Sequence, residues 1–199
     1  VYDASFSSNS RVREYRLYKV CLPATAVDSL SRPSACAHQL TDRPFAHFRL
    51  SDATGGPKDS ANTLVQSSYG GTNVGVTSVA GICWDSAHQY AGTTGSYTAL
   101  DVGPQLTGLQ DFSISFWFQL SAAPTSNHCF LSIAAIRSRA ASEHYANELL
   151  LCTDAGYGVD LWLQDEHIWD LTAAYFSSGL GVQFVTITRE GIKISLYID

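Results

Sequence analysis

The stretch FSISFWFQL, residues 112–120, contains no charge and has large side chains on both faces of an extended chain. With alternating sides, Phe112, Ile114, Phe116, Phe118 and Leu120 share one face, while Trp117 lies on the other between Ser115 and Gln119. A strand bulky on both faces is stable only where material covers both, so it predicts an inner strand of a stacked-sheet fold. Trp117 is then expected to be structural, not a ligand-stacking platform.

The rest of the chain fits such a fold. Charged residues make up only 15% of the sequence, and Ser, Thr, Gly, Tyr and Phe fill the gap, which suits turn-rich β-structure. VQFVTITRE (182–190) and IKISLYID (192–199) alternate with a period of two around a tight EG turn. In these, Val182, Phe184, Thr186 and Thr188 share one face, and Ile192, Ile194, Leu196 and Ile198 another. FAHFRL (45–50), YGVDLWLQ (157–164) and HIWDL (167–171) also read as strands, with no amphipathic helix between any of them. The expectation is an all-β, two-sheet antiparallel jelly-roll sandwich over residues 45–199. Residues 1–44 are read as an N-terminal arm or linker holding one strand-like stretch and a Cys-bracketed loop.

A net charge of −6 argues against nucleic acid or an anionic membrane as partner, since both need a basic patch. The one basic cluster, RVREYRLYK (11–19), alternates charge with aromatics as a strand with one wet face would. No run of 18 apolar residues exists, so no membrane insertion is expected. The chain begins at Val1 and lacks Met, which reads as a mature or excised piece of a longer product.

Five cysteines carry positional information. Cys21 and Cys36 bracket a loop with Pro at both ends, which reads as a stapled excursion. Cys129 and Cys152 lie in two apolar runs, and a hairpin centred near residue 140 sets them opposite each other, as a cross-strand disulfide requires. Cys83 is left unpaired. Two disulfides imply an extracellular or cell-surface setting; the alternative of buried free thiols in a reducing compartment stays open at this point. No CxxC or His–Cys spacing fits zinc.

FAHFRLSDATGG…DSA, DFSISFWFQL and VQFVTITREGIKISLYID occur in an order that resembles laminin-G-like and concanavalin A-like domains. The resemblance covers about residues 45–199. It implies a twisted jelly roll, extracellular and binding protein or glycan, in some members with calcium at the rim. It does not by itself fix a function. Such domains usually continue past the strand that ends here at Asp199, so an edge open to an extended partner is expected, to be filled by VREYRLYKV or a neighbouring copy.

Chemistry is sparse. Glycosidases of this fold place three carboxylates on alternate positions of one strand, but Asp160, Asp165, Glu166 and Asp170 do not keep that spacing. Six His and many Ser supply the residue types of a Ser–His–Asp set, yet no G-x-S-x-G elbow is present. No catalytic residue is assigned, and the chain is not expected to be an enzyme. For a glycan, Asp160, Trp162 and Gln164 are expected to face outward on one strand, with His167 and Trp169 close by: an aromatic ring covers sugar C–H faces and the polar groups take hydroxyls. For calcium, Asp52, Asp59 and Asp85 lie in or beside loops, but no D-x-D-x-D-G loop exists, so neither a metal nor any other cofactor is expected.

The leading expectation is a non-catalytic structural or adhesive module, a building block of a cell-surface or extracellular assembly, filamentous in one version. Its partners are other protein chains, above all copies of itself, met through sheet edges and loops. A glycan-binding lectin-type module is the alternative, and a glycoside hydrolase a distant third.

Overall fold

In the computed structural model of the protein, the described residues are 10–32, 44–50, 56–57, 59–60, 70–80, 86–90, 97–100, 102, 109–120, 128–134, 147–153, 158–163, 166–171 and 181–199. They are mostly β-strand, in antiparallel sheets with one helix. The elements are β1 (Ser10–Tyr18), α1 (Ala24–Ser31), β2 (Ala46–Phe48), β3 (Gly71–Val74), β4 (Val76–Ala80), β5 (Ser86–Tyr90), β6 (Tyr97–Leu100), β7 (Asp111–Leu120), β8 (His128–Ala134), β9 (Asn147–Thr153), β10 (Val159–Leu163), β11 (Glu166–Leu171), β12 (Val182–Glu190) and β13 (Lys193–Ile198). A seven-stranded sheet runs β13-β12-β7-β1-β5-β4, with β2 also paired to β1; a four-stranded sheet runs β11-β10-β9-β8; β3 and β6 pair by themselves.

The large sheet and the four-stranded sheet share one core. Phe112, Ile114, Phe116, Phe118 and Leu120 of β7 pack with Val12, Tyr15 and Leu17 of β1, with Val185 and Ile187 of β12, and with Leu149, Leu151, Val159 and Leu161 of the four-stranded sheet. The other face of β7 is also covered. There Trp117 lies against Phe184 of β12, ring centroids 4.8 Å apart, in a second cluster with Tyr18, Leu22, Val27 and Leu30. The two-faced pattern of FSISFWFQL therefore has the origin expected of it: Phe116 is fully buried and Trp117 is 6% exposed.

What covers Trp117 differs from expectation. The segment after Cys21, expected to be a stapled loop in a chain without helices, forms α1. Val27 and Leu30, three residues apart, point the same way and are buried. Its first turn closes on Pro23, whose carbonyl accepts from Ala26 N–H and Val27 N–H at 2.9 and 3.1 Å. Proline suits this boundary because it donates no hydrogen bond of its own. Ser113 of β7 fastens the approach: its Oγ accepts from Leu22 N–H and donates to Val20 O, both at 2.8 Å. The expected Cys21–Cys36 staple is not made, since Cys21 is a free thiol. Packing of Leu22, Val27 and Leu30 secures the excursion instead. Cys36 and Cys83 lie outside the described residues.

The second correction concerns the expected N-terminal arm. β1 is an inner strand of the large sheet, not an appendage. Along one side it pairs with β7 from Ser10↔Leu120 to Tyr18↔Ser113. Its other side is divided: Arg11 and Val12 pair with β5, and Tyr15, Arg16 and Leu17 with β2. Between Val12↔Phe118 and Tyr15↔Phe116 two residues of β1, Arg13 and Glu14, stand against Trp117 alone. This bulge separates the two partners. The charged face expected to be wet is covered, because the strand is central and the sheet is overlaid on that side; Arg13, Glu14 and Arg16 are all buried.

At the far side of the sheet β12 and β13 form a hairpin with Glu190 opposite Lys193, so the two turn residues are Gly191 and Ile192, one place later than the expected EG turn. Gly191 has φ +57°, which a two-residue hairpin turn requires at its first central position. Ile192, expected within the strand, is at the tip and 98% exposed. A second glycine is fixed by crowding: Gly56, at φ +76°, lies so close to Gly71 that a Cβ would sit 1.9 Å from the Gly71 carbonyl oxygen.

Candidate functional site

Three places on the fold carry groups that could meet a partner. The first is the outer edge of the large sheet. β13 ends the strand order, and among the described residues no strand pairs with its far side. Phe184 and Asp199 exchange both backbone hydrogen bonds, at 2.9 and 3.0 Å. Antiparallel ladders alternate, so Lys193, Ser195 and Tyr197 likewise turn their backbone groups toward β12. Ile194, Leu196 and Ile198 present theirs outward. Their side chains are half-buried against the main core, and Tyr197 packs beside the Trp117 cluster. The edge is thus a row of free backbone donors and acceptors on a strand with a single charge, Lys193.

That edge lacks the features that usually blunt one: it has no proline, no bulge and no inward-pointing charge. It is also self-complementary. Turning a second copy about Leu196 sets Ile194 opposite Ile198 of the partner subunit and Leu196 opposite Leu196 of the partner subunit, all with outward backbone groups. The same register sets Lys193, which is exposed, opposite Asp199 of the partner subunit, also exposed.

The second place is the set expected for a glycan. Asp160 and Trp162 lie on β10, His167 and Trp169 on β11, and Gln164 falls outside the described residues. Register pairs Trp162 with His167, and Leu161 with Trp169, across an irregularity between Leu161 and Trp162. Leu161, the register partner of Trp169, is fully buried in the shared core. The backbone register sets Trp162 across from His167, one residue along β10 from Leu161. Asp160 is half-buried.

The third place was not expected. Glu14, in the β1 bulge, is buried with its Oε1 2.6 Å from Arg16 Nη2 and its Oε2 2.8 Å from His47 Nε2. Burial alone would raise the Glu14 carboxyl. The hydrogen bond from His47, with the charges of Arg16, His47 and Arg13, outweighs it and leaves the group below the usual carboxylate range. Charges in a strand are commonly read as a wet face, and that assumption hid this cluster; the signal available in the sequence was four charges, Arg11, Arg13, Glu14 and Arg16, within a strand otherwise rich in Val, Leu and Tyr.

On the opposite flank, His88 of β5 is fully buried, and its Nδ1 lies 3.3 Å from Thr98 Oγ1. The Tyr90 hydroxyl donates to the same oxygen at 2.8 Å, and that oxygen donates to Asn73 Oδ1 at 3.0 Å. Desolvation pushes the Tyr90 phenol up to about 12, against a smaller lowering by Thr98. This network ties β5 to the β3–β6 pair and is structural.

Of the disulfide positions, Cys152 is buried and carries no free thiol, and Cys129 is its register partner across β8 and β9. Of the calcium candidates, Asp52 and Asp85 fall outside the described residues, and Asp59 Oδ1 accepts from His47 N–H at 2.8 Å. Among the described residues no group of three His, Cys, Asp or Glu side chains could hold a metal ion, and no helix is long and apolar enough to cross a membrane.

No protein-family model, curated protein or solved structure matches the chain.

Proposed function

We propose that the protein is a structural or adhesive building block of an extracellular assembly, and that its copies join edge to edge through β13. The observation that carries this is the outer edge of that strand: six residues with one charge, and outward backbone groups at Ile194, Leu196 and Ile198; an antiparallel pairing of two copies about Leu196 would set Lys193 opposite Asp199. The two sheets with a common core support a laminin-G/concanavalin A-like jelly-roll sandwich as the finer fold. The Cys129↔Cys152 register supports a cross-strand disulfide between them, and with it an oxidising location.

A strand pair of six residues a side is a small contact. Association is therefore weak in dilute solution and relies on high local concentration or on further contacts. Sedimentation velocity across a concentration series tests the reading. Wild type is expected to self-associate, and Leu196→Pro to stay monomeric, because proline removes an outward N–H while the β12-facing bonds of Ser195 and Tyr197 remain. Leu196→Ala, which keeps that N–H, separates backbone pairing from lost side-chain packing. Lys193→Glu should weaken association and Lys193→Glu/Asp199→Lys should restore it. A chain monomeric at every concentration, or one indifferent to both Leu196→Pro and the charge reversal, overturns the proposal.

The register of Trp162 with His167 keeps glycan binding as the second reading. A glycan array comparing wild type with Trp162→Ala decides it: a saccharide-dependent signal lost in the variant supports a lectin-type module.

A further inference from the structure

His47 of β2 stands between two oxygen-bearing side chains. Its Nε2 is 2.8 Å from Glu14 Oε2, and its Nδ1 is 3.2 Å from Ser60 Oγ. Glu14 is buried and ionised, and so accepts only. Nε2 must then carry a ring proton, and the Nδ1 edge of His47 faces the Ser60 hydroxyl, to which it offers a lone pair whenever the ring is uncharged.

The backbone ties the two ends of this row together. Ser60 N–H donates to His47 O at 2.7 Å, His47 N–H donates to Asp59 Oδ1 at 2.8 Å, and Phe48 and Asp59 form an antiparallel bridge. Ser60 is exposed, His47 half-buried and Glu14 buried, so the row runs from solvent into the sheet. The Ser60 hydroxyl donates to His47 O at 3.0 Å, with Nδ1 at 3.2 Å as the other acceptor its proton can reach.

We infer that Ser60 is a nucleophilic serine that takes an acyl group from activated esters, with His47 as its base and Glu14 as the positioning residue that fixes the imidazole tautomer. In the step, Ser60 Oγ bonds to the ester carbonyl carbon as its proton passes to His47 Nδ1. The bond from that carbon to the leaving oxygen breaks, and the departing alcohol takes the proton from Nδ1. Water then repeats the sequence on the Ser60 ester and releases a carboxylic acid; nothing is oxidised or reduced. The ring nitrogens serve in the reverse of the usual order, which the chemistry permits because either nitrogen can relay the proton. This inference stands on the Glu14–His47–Ser60 geometry and is independent of the β13 edge.

The test uses the full chain, a fluorophosphonate probe and p-nitrophenyl acetate, with adducts read by intact mass and peptide mapping. One adduct is expected, on Ser60, in the folded protein and not in urea. Ser60→Ala should lose it, and His47→Gln should slow Ser60 labelling by about 100-fold. Absence of a Ser60 adduct in the folded protein, or equal labelling in urea or in His47→Gln, overturns the inference and makes Ser60 an ordinary surface hydroxyl. Should His47→Gln fail to fold, the folded-against-urea comparison on wild type decides the matter alone.

Discussion

β1 and β13 belong to the same sheet and look misassigned to their places. β1 carries four charges in nine residues and lies inside; β13 carries one in six and lies at the rim. The contrast teaches that hydropathy fixes neither where in the sheet a strand goes nor, at β1, that a charged face stays wet. An inner position is tolerable for Glu14 because Arg16 and His47 are within ion-pair distance. A rim position is tolerable for Ile194, Leu196 and Ile198 because their side chains fold back on the core. Each arrangement leaves a demand: the inner charges must stay paired, and the rim backbone is open to another strand.

Breaking the inner pairing should produce the largest effect. Arg16→Met alone leaves Glu14 with less compensation and is expected to destabilise by about 3–5 kcal/mol, whereas Glu14→Leu/Arg16→Met should cost much less than the two single changes added. Urea denaturation of the three variants measures this. Additive losses would mean that the pair does not act as a unit. Trp117→Ala, which empties the space between β7 and α1, belongs to the same range, about 3–5 kcal/mol.

The pH dependence sharpens the comparison, because among the described residues the shifted groups, Glu14 and Tyr90, lie on the inner strands β1 and β5. The folded Glu14 carboxyl is depressed, so it binds its proton less readily than in the unfolded chain. Its contribution is present above the ordinary carboxylate range and is lost as the pH falls through that range toward the folded value. Tyr90 runs the other way. Its phenol is raised to about 12, so its contribution is complete below the ordinary phenol value and is lost as the pH climbs from there through the folded value. Glu14→Gln should flatten the acid limb of a stability-versus-pH curve and Tyr90→Phe the alkaline limb; unchanged limbs would discard both assignments.

The smallest effect is expected where the buried face is imperfectly satisfied. Thr186 is fully buried, and its Oγ1 meets no hydrogen-bond partner among the described residues. Thr186→Val keeps the shape and removes the orphan hydroxyl. It should stabilise by about 1 kcal/mol, read as a raised denaturation midpoint.

Much of the frame was legible in the sequence, for physical reasons that also mark its limits. β7, β12 and β13 announce themselves because alternation survives over many residues. The Cys129↔Cys152 register follows from hairpin counting alone. α1 gives little periodicity because Val27 and Leu30 are the only large apolar residues among its eight, the others being Ala, Thr, Asp and Ser, and the flanking prolines read as loop. β5 was missed because His88 and Gln89 do not resemble a buried strand. β1 was placed outside the sandwich because nothing local reveals that its pairing partners lie far along the chain. Glu14, His47 and Ser60 come from three segments, Glu14 and His47 being 33 positions apart and His47 and Ser60 13. Such a row is a product of topology and not of any motif.

The position of β1 has a consequence for biosynthesis. Leu22, just past that strand, is clipped to Ser113, 91 residues later, and β12, which completes the β7 ladder, is made later still. A nascent chain leaving the ribosome must carry β1, with Arg13, Glu14 and Arg16, uncovered until β7 and β12 have emerged. Those charges keep the waiting strand soluble, and only in the finished sheet do they become the interior.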